Sequence, residues 1–185
     1  MKRSLDTKRL ILLLLLLALT VAVTALIRVD CGFTRPVGKS EVPAGTYATL
    51  GDVCIYLSAL LIGGPWAAVV SALGCAIADL CVGSYSYIIG TLIIKAGMAL
   101  FLGKFAPLCD SWKKCFVVAA IAEGIMIVGY FLFDLLIFVE YRVAALEIPV
   151  NIAQGLVDGA LGAVLLYYMP EKIRKHRGSE ARRVH

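Results

Sequence analysis

Six apolar stretches follow one another along the chain, at residues 10–27, 46–63, 66–82, 88–103, 115–139 and 148–169, with only short polar connections between them. A helix needs about 20 apolar residues to cross a bilayer, and a backbone in hydrocarbon must satisfy its own polar groups, so such runs fold as helices. With 61% hydrophobic and 17% charged residues over 185 positions and a mean hydropathy of +0.88, the chain falls well below the roughly 25% charge of soluble domains. The expectation is an all-α integral membrane bundle of six transmembrane helices: one membrane domain spanning residues 1–185, with a basic tail at 170–185. Residues 53–78 contain no charge and also read as one helix kinked at Gly63-Gly64-Pro65, which would leave five spans.

Charge separates the two counts. With six spans and an inside amino terminus, the cytoplasmic segments hold Lys2, Arg3, Lys8, Arg9, Lys104, Lys113, Lys114, Lys172, Arg174, Lys175, Arg177, Arg182 and Arg183, against Arg28, Arg35, Lys39 and Arg142 outside. Basic residues gather on cytoplasmic loops, so six spans in the cell membrane with both termini cytoplasmic are expected. The net charge of +5 follows from that bias and suits an anionic lipid surface; nothing in it suggests nucleic acid. The first run, 18 uncharged residues after Lys8-Arg9, exceeds the 7–15 residues of a signal-peptide core and reads as a retained helix. Six cysteines show no C-x-x-C or other zinc spacing and read as small apolar fillers.

Lys95 is the only charge in its span. An ammonium at the centre of a membrane helix costs roughly 2.5–3.5 kcal/mol on insertion scales and usually faces a bundle interior or a polar cavity. Thr91 lies one turn away on the same face. Asn151, Gln154 and Asp158 descend one face of the sixth helix at spacings of three and four, Asp134 and Tyr130 approach from the outer half of the fifth, and Asp79 lies near the outer end of the third. These residues are expected to converge in the outer half of the bundle around a cavity for a small polar ligand. An amine and two amides suit a heterocycle with ring nitrogens and hydroxyls, and Tyr85, Tyr87 and Tyr130 could stack on it. Two roles stay open for Lys95: lining that cavity, or pairing with Asp79, Asp134 or Asp158 to tie helices together. Asn151 and Gln154 could equally be interhelical glue, Asp52 a helix cap, and Glu123, deeper, a structural group. Ala18 with Ala22 on the first helix, Ala68, Ala72 and Ala76 on the third, and Gly155 with Gly159 on the sixth are small-residue stripes that allow close helix approach in lipid.

In order, Tyr47 to Asp52 (YATLGD), Gly64-Pro65, Gly74 with Ala78-Asp79, Gly83-Ser84-Tyr85, Thr91 to Lys95 (TLIIK), Gly129-Tyr130 and residues 148–155 (IPVNIAQG) resemble the substrate-binding S components of energy-coupling factor (ECF) vitamin transporters, in the branch with riboflavin-type and hydroxymethylpyrimidine-type members. The resemblance implies a six-helix subunit that captures a vitamin or precursor outside the cell. It also implies partners, a transmembrane coupling subunit and two cytoplasmic ATPases, with the loaded subunit toppling in the membrane to deliver its ligand. It further implies that Ala18 and Ala22 contact the coupling subunit, and that the loops at 28–45 and 83–87 cover the ligand, the first as a lid. The chain has no G-x-x-x-x-G-K-[ST] phosphate loop, so ATP hydrolysis is expected in the partners and no cofactor in this chain. A membrane-embedded enzyme is a weaker reading, since the spans hold no histidine and no nucleophile beside a base. A standalone carrier would be favoured by inverted repeats, and none is evident.

Overall fold

The computed structural model describes residues 7–37, 39–138, 141–168 and 173. Six helices form the body: α1 (Thr7–Leu26), α2 (Gly51–Ile62), α3 (Gly64–Val82), α4 (Ile88–Phe105), α5 (Trp112–Phe133) and α6 (Tyr141–Tyr167). Five of them are long and apolar enough to cross a membrane. The exception is α2, whose 12 residues span about 18 Å at 1.5 Å per residue, against the roughly 30 Å of a hydrocarbon core.

That short helix shapes the molecule. Its start lies level with Lys95 in the middle of α4, and its end, the Gly63-Gly64 turn, lies beside Gly103 near the end of α4. Gly63 makes the turn at φ 85°, a conformation open to glycine at little cost. The space α2 leaves unfilled is taken by strands from the connection after α1. Strand β1 (Arg28–Asp30) pairs antiparallel with β4 (Tyr47–Thr49), Val29 opposite Ala48, and β2 (Thr34–Val37) pairs with β3 (Ser40–Pro43), Arg35 opposite Val42.

The ends of the bundle differ. At one, Arg9 stacks on the Trp66 ring at 5.5 Å, Trp112 meets Tyr167 edge-on at 5.4 Å, and Lys104, Lys113 and Lys114 flank the α4–α5 connection; this is the basic end. The start of α1 and the end of α6 therefore share a side. At the other, the loop end, the hydroxyl of Ser84 donates to the carbonyl of Gly45 at 2.6 Å and ties the α3–α4 connection to the strands. Toward the basic end the core is apolar: Ile55, Tyr56, Met98, Leu102, Met126 and Leu166 are fully buried. The Tyr56 ring packs where Gly162 lacks a side chain, and its hydroxyl donates to Glu123 at 2.9 Å and to the carbonyl of Ala119 at 3.2 Å. Leu14, Leu15, Ile93 and Leu156 point outward, as lipid-facing residues do.

Three sequence boundaries are corrected. The second helix starts at Gly51, not 46, because residues 47–49 are drawn out as a strand against β1. The sixth starts at Tyr141, seven residues before the predicted 148, and runs through Pro149; Arg142 and Glu147 spoil the apolar pattern there without stopping the helix. The fifth ends as α-helix at Phe133 and continues as a π-helical turn, Asp134–Phe138. The basic tail falls outside the described residues except for Ile173.

Candidate ligand-binding site

A cavity lies between the strands and the helices at the loop end. Its deepest polar group is an ion pair: Lys95 Nζ on α4 stands 2.5 Å from Asp52 Oδ1 on α2, with side chains 4% and 0% exposed. The other oxygen, Asp52 Oδ2, accepts from Gln154 Nε2 on α6 at 3.0 Å. Gln154 Oε1 in turn accepts from the backbone N–H of Thr49 on β4 at 3.0 Å. One chain of bonds thus joins α4, α2, α6 and β4. Since α2 begins at this depth, its second residue can place a carboxylate in the interior. Asp52 is therefore not a helix cap: the N-cap position is Leu50, with no side-chain capping bond.

The walls are built by pairs of polar groups. Tyr47 on β4 donates to Asp79 on α3 at 2.5 Å, and Tyr87 donates to Glu147 on α6 at 2.7 Å. The hydroxyls of Thr91 and Tyr130 lie 3.0 Å apart. The Tyr130 ring stands 5.3 Å from the Lys95 ammonium, within cation–π range, and meets Tyr87 edge-on with centroids 6.2 Å apart. Burial, and after it the Asp79 carboxylate, raises the Tyr47 hydroxyl far above the usual tyrosine range, so this phenol is a fixed donor. Burial and the nearby Glu147 also raise the Cys31 thiol. Thr24, Cys75 and Val150 complete the wall with Gly45 and Thr46.

Lys95, Thr91, Asp79, Tyr87, Tyr130, Asn151 and Gln154 all line this cavity. Asp134, Asp158 and Tyr85 do not. Asp134 is fully buried where α5 gives way to the π-helical turn. Asp158 is fully buried one turn beyond Gln154, within electrostatic range of Asp52 and Lys95 and outside the lining. Tyr85 is 67% exposed on the short 3-10 turn that sends Tyr87 inward. The partner of Lys95 is Asp52, and none of the three aspartates weighed from the sequence. Glu123 accepts the Tyr56 hydroxyl in the core, outside the cavity wall. Ala18 and Ala22 are exposed on the outer face of α1.

Sequence reasoning missed Glu147, Tyr47, Thr49, Cys31 and the inward role of Asp52. Glu147 carried a signal, being four residues before Asn151 and so on its face once α6 is extended back to Tyr141. Tyr47 and Thr49 belonged to the YATLGD piece of the resemblance, but their inward placement carried no periodic mark, because it comes from strand pairing between residues 17 to 21 apart.

The described residues hold no group of three or more His, Cys, Asp or Glu fit for a metal ion. The arrangement can bind and enclose a small polar ring; Lys95 is held by a carboxylate, which leaves it no free base role. No curated protein matches the chain. A family model described as "ECF-type riboflavin transporter, S component" matches residues 4–172. With nearly the whole length matched, and a helical membrane body walling a polar cavity, the chain belongs to the ECF-type riboflavin transporter S component family, whose members are substrate-binding transporter subunits and not enzymes.

Proposed function

We propose that this subunit captures a vitamin or vitamin precursor built on a small nitrogen heterocycle, with riboflavin, hydroxymethylpyrimidine and pyridoxine as the candidates. The observation that carries the reading is the cavity at the loop end, with its floor of Lys95, Asp52 and Gln154 and its walls of tyrosines, Thr91, Asp79, Glu147 and Asn151. In small-ligand sites apolar and aromatic surface holds the ring and a few polar groups orient it, and this lining has both. The basic end faces the cytoplasm, as the charge bias argues, so the cavity opens outward. The strands that roof it, bonded to the helices through Ser84 and Gln154, close over the bound ligand.

Release into the cell then requires partners, a transmembrane coupling subunit and two cytoplasmic ATPases that turn the loaded subunit in the membrane. Native mass spectrometry of the detergent-purified protein from cells grown in rich medium, followed by thermal shift with a vitamin panel, tests the capture role. A retained small molecule, or a rise in melting temperature with one vitamin, is expected. An empty protein indifferent to the whole panel would return weight to a standalone carrier.

A further inference from the structure

Most polar side chains of the lining are spent on one another. Tyr47 donates to Asp79 and Tyr87 to Glu147, Thr91 and Tyr130 bond each other, and Lys95 and Gln154 both donate to Asp52. Asn151 differs. It lines the same cavity at 9% exposure and enters none of these pairs. Its polar neighbour is Glu147, one turn earlier on α6, whose carboxyl already accepts from Tyr87. Even with one N–H turned toward Glu147, the carboxamide keeps its oxygen and its second N–H. Such a group is unfavourable when desolvated and unpaired, so a ligand that meets both atoms relieves that cost as it binds.

We propose that Asn151 is the specificity-determining residue of the cavity, and that it selects a ring with a hydrogen-bond donor and an acceptor on neighbouring atoms of one edge. This rests on the capture reading above and chooses among the compounds that reading leaves open. A carboxamide is planar and sets an acceptor and a donor side by side, so it pairs with an edge of the reciprocal pattern, as asparagine does with adenine. Gln154, the other carboxamide of the lining, is not available for this, because its two ends are held by Asp52 and by the backbone of Thr49. Riboflavin carries the required edge in its imide, an N–H beside a carbonyl. Hydroxymethylpyrimidine carries it in an amino group beside a ring nitrogen. Pyridoxine has none at its ring nitrogen, which lies between a methyl-bearing carbon and a C–H, and offers a single acceptor there. The selected class is therefore the pyrimidine or pyrimidinedione edge, and the pyridine ring is the one refused.

The test measures dissociation constants by calorimetry, in lipid nanodiscs, for riboflavin, hydroxymethylpyrimidine and pyridoxine. Either of the first two should bind at least about tenfold more tightly than pyridoxine; a preference for pyridoxine overturns the proposal and leaves the capture reading standing. For the compound that binds, a blocked analogue follows: riboflavin methylated on the imide nitrogen, or the pyrimidine with its amino group dimethylated. The wild type should bind the blocked analogue about tenfold to a hundredfold more weakly than its parent. Asn151→Leu keeps the volume and removes both polar atoms. It should lose affinity for the parent and shrink the gap between parent and analogue to within about threefold. A methyl group refused by crowding elsewhere, or an asparagine that serves only the fold, would leave that gap at its wild-type size, and an unmoved gap overturns the proposal. Should Asn151→Leu not fold, Asn151→Ala carries the same comparison. Equal affinity of the wild type for parent and analogue overturns the proposal without any variant. Failure of all three parents to bind sinks the capture reading and this inference with it.

Discussion

Lys95 and Asp52 meet at the cavity floor, almost wholly shielded from water, so each is tolerated only because of the other. Taking two charges out of water costs several kcal/mol per ion, and a close contact with further hydrogen bonds offsets that cost. Here Asp52 has both, the ammonium on one oxygen and the Gln154 amide on the other. Removing the lysine alone leaves a buried carboxylate, so Lys95→Met should destabilise the protein by about 3–5 kcal/mol, while Lys95→Met with Asp52→Leu should recover most of that loss. Thermal unfolding in detergent checks both, and a single variant as stable as the wild type would show that the pair is not what holds the two helices at this depth. The lysine announced itself in the sequence because one charge in an apolar run has few explanations. Its partner did not, because an aspartate at the start of a helix also reads as a cap, and only the shortness of α2 carries Asp52 to the level of Lys95. The same depth argument explains Asp158: spacing placed it on the face of Asn151 and Gln154, but a face has length, and this residue lies outside the lining.

Helix positions were readable wherever the bilayer imposed them, since an apolar run has one good conformation in lipid. Polar segments escaped this logic. Residues 28–49 mix charge, glycine and β-branched residues without a period, and their pairing, β1 with β4 across an intervening hairpin, is a tertiary choice. Helix contact supplies another such choice at the turn between α2 and α3. A Cβ on Gly103 of α4 would run into the backbone of Gly64, whereas one on Gly97 of the same helix would meet nothing within 4 Å. Gly103→Ala should therefore push α3 and α4 apart and lower stability by about 1–3 kcal/mol, the usual cost of overpacking. Gly97→Ala should be neutral or stabilising by up to about 1 kcal/mol, through lower backbone entropy in the unfolded chain. Melting temperatures of the two variants, compared with the wild type, decide the point, and equal losses would mean that the close α3–α4 approach is not the reason for glycine at 103.

At the scale of the whole molecule, α1 buries one stripe, Leu13, Leu16, Thr20 and Thr24, against the bundle and turns the opposite stripe outward. That outer stripe runs through Ile11, Leu15, Ala18 and Ala22, all exposed among the described residues, so the described fold does not bury its alanines. In lipid, where apolar surfaces gain nothing from leaving water, small residues serve association by letting backbones come close. Ala18 and Ala22 are one turn apart, and bulk placed there meets only lipid or a partner. Ala18→Leu with Ala22→Leu should accordingly leave both the melting temperature and ligand affinity unchanged, as exposed substitutions usually shift stability by no more than about 0.5 kcal/mol. Co-purification with the coupling subunit proposed above should fall about tenfold or more, a loss of at least about 1.4 kcal/mol of association. The contrast between the two readouts is the argument: a stripe that served the fold would lose stability first, and a stripe that served nothing would lose neither. A pull-down that retains the coupling subunit at wild-type levels would remove the α1 stripe from the interface and direct attention to the other exposed faces of the bundle.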